Sequence, residues 1–177
     1  LAVVHFDAHC DTWSEHFGES HGHGTWMYHA ITDKLIDPQK TISIGIRSPA
    51  DKKSRDFLKN HGGHTITARS AMSHCPSVMA AIIKDRIKTA PAYLSLDIDC
   101  LDPAYAPGTG TPEIAGLSTL WMSELLENQP EDLRVNTGYK DILKMALPIT
   151  LAMLVPQINF LTNSIFLSGL GEHSLAS

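Results

Sequence analysis

Cysteine is scarce in this chain. Three residues, Cys10, Cys75 and Cys100, stand in 177 positions with no C-x-x-C pair. That excludes a disulfide framework and a ribbon-type zinc site, and it reads as free thiols of a reducing compartment. Basic residues are outnumbered, with 14 Lys and Arg against 19 Asp and Glu and no basic block, so a nucleic-acid surface has no electrostatic basis. No G-x-G-x-x-G follows a strand-like run, which removes the usual dinucleotide-binding turn. No charged leader precedes the first apolar run, so no signal peptide is expected. The chain opens on Leu1 rather than a methionine, which reads as a start inside a fold. Apolar residues, 43% of the chain, suffice for the core of one ordinary domain.

What the sequence has is acid at the ends of apolar runs. Leu1-Ala2-Val3-Val4 reads as a strand buried on both faces, and it leads into Asp7-Ala8-His9-Cys10-Asp11. If the strand continues, Asp7, His9 and Asp11 share one face and Ala8 and Cys10 the other. Ala92-Tyr93-Leu94-Ser95-Leu96 repeats the device and ends in Asp97-Ile98-Asp99. Either segment alone is explained by loop carboxylates in water. Together they place four carboxylates and one imidazole at two strand ends, and like charges so gathered call for cations. Two divalent ions would balance four negative charges, and an oxygen-rich set with one imidazole suits Mn or Mg better than Zn.

Val4-His5-Phe6-Asp7-Ala8-His9-Cys10-Asp11 and Ser95-Leu96-Asp97-Ile98-Asp99-Cys100-Leu101-Asp102-Pro103 resemble the two metal signatures of the ureohydrolases, the arginase and agmatinase family. Ala106-Pro107-Gly108-Thr109-Gly110-Thr111-Pro112 resembles the loop after the second signature. The resemblance runs from residue 1 to about 127. His23-Gly24-Thr25, Leu35-Ile36-Asp37-Pro38 and Ile44-Gly45-Ile46-Arg47 are similar to the agmatinase branch. It implies an α/β fold, a three-layer αβα arrangement with a mainly parallel sheet, truncated at both ends here. It also implies two Mn²⁺ ions, bridged by Asp7 and Asp97. His9 and Asp99 complete one ion's shell, and Asp11 serves the other. The implied reaction is hydrolysis of a guanidino C–N bond with release of urea, agmatine giving putrescine. Asp11 and His23 handle protons in it, and His23, Thr109 and Thr111 line the substrate pocket. Members of the family form trimers or hexamers, and a cytoplasmic location is expected. Two family features do not occur: the G-G-D-H loop whose His completes one metal shell, and a D-x-x-E-x-x-P pattern whose Glu binds the guanidinium. The alternative is therefore an inactive metal-binding fragment.

The remaining elements follow from pattern. A short helix is expected over Thr25–Leu35, a strand over Thr41–Ile46, a charged helix over Asp51–Asn60 and a weak strand over His64–Thr67. Ser77–Lys88 should form a helix with Val78, Met79, Ala81, Ile82, Ile83 and Ile87 on one face, and Ser118 should start another. Strands alternating with helices place sites at the carboxyl ends of a parallel sheet. His16 and His21 read as exposed loop residues, Arg47 as a surface ion pair, and Asp102 as a residue that orients its loop.

From Ile142 to Leu167 the only charge is Lys144. That length of apolar chain can span a bilayer. Tyr139–Ile149 and Ser164–Ala176 are similar to the first transmembrane segment of MATE-family multidrug exporters. The expected organisation is thus a partial ureohydrolase domain over 1–127, a junction over 128–136, and a long hydrophobic, transmembrane-like helix over 137–177, with membrane contact through 142–167.

Overall fold

The structure is a computed structural model and describes residues 1–16 and 18–127. Its centre is a four-stranded, wholly parallel sheet in the order β3-β2-β1-β4, with β1 Ala2–Phe6, β2 Thr41–Ile46, β3 His64–Thr67 and β4 Ala92–Leu96. Parallel neighbours need crossovers, and helices supply them: α1 Trp26–Thr32, α2 Lys52–Asn60, α3 Ala68–Met72, α4 Pro76–Ile87 and α5 Thr119–Glu127. Alternation along β1 divides the core in two. Ala2, Val4 and Phe6 pack with Met79, Ile83 and Leu125, under α4 and α5. Val3 packs with Met27, Ile31, Phe57 and Leu58, under α1 and α2. Helices therefore cover both faces, as the expected three layers require. All five residues of β1 and all six of β2 are buried.

Local signals account for most boundaries. The Asp51 side chain caps α2 by accepting from Ser54 N–H at 3.0 Å. Pro76 opens α4, where its missing N–H costs nothing. The Thr67 side chain caps α3, a five-residue helix that pattern reading passes over. Three expectations need correction. First, β1 ends at Phe6, so Asp7–Asp11 are not a strand; Asp11 has φ 53°. Second, the buried face of α4 is the narrower set Met79, Ala80, Ile83 and Ile87, while Val78 is exposed, because only one stripe of a helix can meet a sheet. Third, α1 is shorter than the expected Thr25–Leu35: a 3₁₀ turn over His23–Thr25 precedes it and it ends at Thr32, with Lys34 at φ 59° just beyond.

β4 differs from β1 and β2. It forms one edge of the sheet, and Tyr93, Leu94 and Leu96 are exposed on it. Among the described residues no helix is long and apolar enough to cross a membrane. The junction over 128–136, the hydrophobic helix over 137–177, its exporter resemblance and the membrane contact through 142–167 lie outside the described residues.

Candidate metal centre

The parallel register of β1 and β4 brings the two acidic segments together. Phe6 pairs with Leu96, and the N–H of Asp97 donates to Phe6 C=O at 2.8 Å. Asp7 and Asp97 therefore leave adjacent strands side by side. Beyond Phe6 the chain bends. Asp7 N–H bonds to Ile44 C=O, and Ala8 C=O accepts from the backbone N–H of Arg47 and Ser48. At Asp11 the left-handed backbone turns the carbonyl toward the first turn of α1, where Met27 N–H donates to it at 3.1 Å. Asp7, His9 and Asp11 face one cavity, as expected, but a bend brings them there rather than strand alternation. After β4 the chain closes at once into a 3₁₀ turn, Ile98–Cys100, capped by Asp97 Oδ1 accepting from Asp99 N–H at 2.9 Å.

The cavity holds about 640 Å³ and is lined by Asp7, His9, Asp11, Asp97 and Asp99, with Trp13, His16, His23, Ser48 and Thr111 among the surrounding walls. Five expected donors thus border one space. Among the described residues two tight groups of donor atoms occur, Asp7–His9–Asp99 on the cavity wall and Asp7–Asp11 with His5 behind them, each with its atoms within 4.8 Å of one another. Asp7 is 3% exposed and Asp99 3%, so their charges cannot be answered by water.

The electrostatics show a site short of positive charge. His9 Nδ1 lies 3.2 Å from Asp7 Oδ1 and 3.0 Å from Asp99 Oδ2. Those hydrogen bonds, to Asp7 and then Asp99, push the imidazole up to about 10, against the opposing effect of burial. Burial, and then the Asp7 charge, pushes Asp11 up to about 7. Burial would raise Asp7 too, but hydrogen bonds from His5 and His9 hold it below the ordinary carboxylate range. The shifts of His9 and Asp11 both favour the more positive form of the group, the sense expected where acid is gathered. Four carboxylates, an imidazole and an acidic cavity fit divalent metal on donor chemistry alone.

Other side chains set the walls. Thr111 Oγ1 donates to Asp99 Oδ2 at 3.1 Å. Thr109 is half-buried and is not among the lining residues. His23, at the start of a short 3₁₀ turn over His23–Thr25, is an exposed lining residue. His16 is an exposed loop residue as expected, and it does more. Though exposed, it lines the cavity, stacked on Trp13 with ring centroids 5.3 Å apart. His21 instead stacks on His29, outside the lining. Arg47 is no surface ion pair. Its guanidinium donates to the carbonyls of Gly45, Asp99, Cys100, Leu101, Glu113 and Ile114. Asp102 orients its loop as expected, accepting from Ala104 N–H and Gly116 N–H, each at 3.0 Å. Sequence reading missed His5, Trp26 and Glu113. Glu113 accepts from Ser48 Oγ at 2.8 Å and lies 3.8 Å from His9 Nε2. His5, already inside the first motif, was the one with a visible signal: a polar residue in a buried strand.

Comparison with known proteins gives a consistent result. Residues 1–138 match the arginase family. An agmatinase of Chromobacterium violaceum is 43% identical over 128 residues, covering 72% of this chain and 38% of that protein. A proclavaminate amidinohydrolase of Streptomyces clavuligerus is 44% identical over 118 residues, covering 66% of this chain and 38% of that protein. The crystal structure of proclavaminate amidino hydrolase from S. clavuligerus superposes with a TM-score of 0.66 at 41% identity, over 72% of this chain and 42% of that one. An arginase structure from Bacillus subtilis gives 0.63 at 27% identity, over 71% and 48%. The chain spans a little over a third of the length of the curated relatives it matches.

Proposed function

The chain belongs to the arginase family, and from that premise we propose that it carries the metal-holding part of a ureohydrolase that cleaves a guanidino C–N bond, with agmatine as substrate and urea and putrescine as products. The observation that carries this reading is the meeting of Asp7, His9, Asp11, Asp97 and Asp99 around one cavity, on residue types that match the donor set of two Mn²⁺ ions. Asp7, Asp97, His9 and Asp99 would hold one ion, and Asp7, Asp97 and Asp11 the other. When bound, paired divalent cations supply the Lewis acidity that makes water a nucleophile near neutral pH.

The chain's own residues do the rest. A guanidinium stays cationic at any cellular pH, so a cavity walled by acidic residues suits it better than an anionic ligand. Thr111, bonded to Asp99, holds that carboxylate's orientation. Asp11, on the cavity wall, takes up the proton that the attacking water loses. His23, exposed among the lining residues, exchanges that proton with bulk water.

The test is urea release from agmatine, arginine and guanidinobutyrate by the purified chain with added Mn²⁺. Turnover of agmatine above the other two supports the reading. Tight Mn²⁺ binding with no urea from any of them assigns these residues metal holding alone, and preference for arginine or guanidinobutyrate overturns the substrate.

A further inference from the structure

Two of the cavity's carboxylates are gripped from behind. His5 Nε2 lies 3.0 Å from Asp7 Oδ2 and 3.7 Å from Asp11 Oδ2. Trp26 Nε1 donates to the same Asp11 oxygen at 2.7 Å. The two donors brace each other, edge to face, with ring centroids 5.3 Å apart and planes at 82°. His5 is 1% exposed, and neither it nor Trp26 is among the lining residues, so neither is placed to touch a substrate.

The strand position makes His5 unexpected on packing grounds. It lies between Val4 and Phe6 in a fully buried strand, on the side where Val3 meets Met27 and Ile31. An aliphatic side chain would serve packing there, and a buried imidazole costs free energy unless its nitrogens find partners. Both do. Nδ1 lies 3.2 Å from Ser43 Oγ, on the neighbouring strand and paired with His5 in register, and Nε2 lies on Asp7. Ser43 Oγ reaches on to Met27 Sδ. The ring is therefore fixed at both ends.

We propose that His5 and Trp26 are positioning residues that lock the Oδ2 atoms of Asp7 and Asp11, so that both carboxylates meet cations already oriented. The terminal torsion of an aspartate is broad, and a carboxylate left to turn must be ordered when metal binds. A donor on the far oxygen removes that freedom beforehand, and losing a partner of this kind typically costs about 10- to 100-fold in metal affinity. The proposal rests on the reading that Asp7 and Asp11 hold metal.

The test titrates Mn²⁺ into the full chain by calorimetry and records the Mn²⁺ EPR line shape. It compares wild type with His5→Leu, His5→Gln, Trp26→Phe and, as a site control, Asp7→Asn, with circular dichroism in EDTA to confirm folding. His5→Leu should bind about 10- to 100-fold more weakly and Trp26→Phe about 3- to 10-fold. His5→Gln should recover to within about threefold of wild type, since its amide N–H can reach Asp7 in place of Nε2; a packing role alone would not produce that rescue. If His5→Leu fails to fold, Trp26→Phe, which keeps an aromatic ring, and the His5→Gln rescue carry the test. Wild-type affinity in His5→Leu and Trp26→Phe, or His5→Gln no tighter than His5→Leu, overturns the proposal. A folded wild type that binds no Mn²⁺, or binds it as well after Asp7→Asn, overturns the metal reading itself and the proposal with it.

Discussion

His9 and Asp11 are both shifted toward their protonated form, and the direction of the shifts fixes a pH dependence. Asp11 is pushed from the ordinary 3.8 up to about 7, by burial first and the Asp7 charge second. The folded state therefore binds that proton more tightly than the unfolded chain. The stability this contributes is complete below about pH 3.8 and is lost as pH rises through about 7. His9, raised from 6.5 to about 10 by Asp7 and Asp99, acts in the same sense at higher pH: its contribution is whole below about 6.5 and gone once pH passes about 10. Asp11→Asn removes the first loss. Its amide oxygen can still accept from Trp26 Nε1. In EDTA its Tm should exceed that of wild type at pH 8, by a margin equivalent to on the order of 4 kcal/mol, and nearly match wild type at pH 4. Thermal melts across that range check it, and a gap that does not grow with pH contradicts the assignment.

The elements behind the site are tied by one side chain. Arg47 follows β2 directly, and its guanidinium gathers carbonyls from β2, from the turn holding Asp99 and from Glu113 and Ile114. Asp99, Cys100 and Leu101 among these are buried, where water replaces a lost donor poorly, and an ammonium cannot serve a planar fan of acceptors. Arg47→Lys should therefore cost about 3 kcal/mol in a urea melt and weaken Mn²⁺ binding by loosening Asp99; a cost under about 0.5 kcal/mol would show the contacts to be incidental. Gly45, just before it, has φ 102°, and a Cβ there would come within 2.9 Å of Asp7 C=O. The glycine lets β2 pass against the backbone of Asp7.

Across the whole molecule the centre joins chain segments far apart in sequence. Residues 7–11 and 97–99 follow neighbouring strands, and Ala8 N–H donates to Asp99 Oδ1 at 3.0 Å across that gap. A cation shared between them would bind the folded chain and not the unfolded one, so it should stabilise the domain by linkage. At Mn²⁺ about 100-fold above its Kd the gain is about 2.7 kcal/mol, or roughly 10 °C in Tm for a domain of this size. Melts with Mn²⁺ and with EDTA read it directly, and coincident curves would mean that these carboxylates do not share a metal. The effect should strengthen from pH 6 to pH 8, because binding must displace the protons on Asp11 and His9.

The sequence by itself determined the sheet's inner strands, the helix start at Asp51, the helix that follows Pro76 to within a residue, and the five side chains that border the cavity. Each of these is written locally. Apolar runs mark strands, a capping carboxylate or a proline marks a helix start, and D-x-H-x-D and D-x-D stand out because charge at the end of a buried strand is costly without a partner. Only the tertiary structure decided that β1 stops at Phe6, that His16 reaches the cavity, and that His5, Trp26 and Arg47 serve the same centre. His5 depends on Ser43 across the sheet, Trp26 on a helix packed over Asp11, and Arg47 on a turn some fifty residues onward. Which donor meets which acceptor across such gaps is set by strand register and packing depth, and no short stretch of sequence contains either.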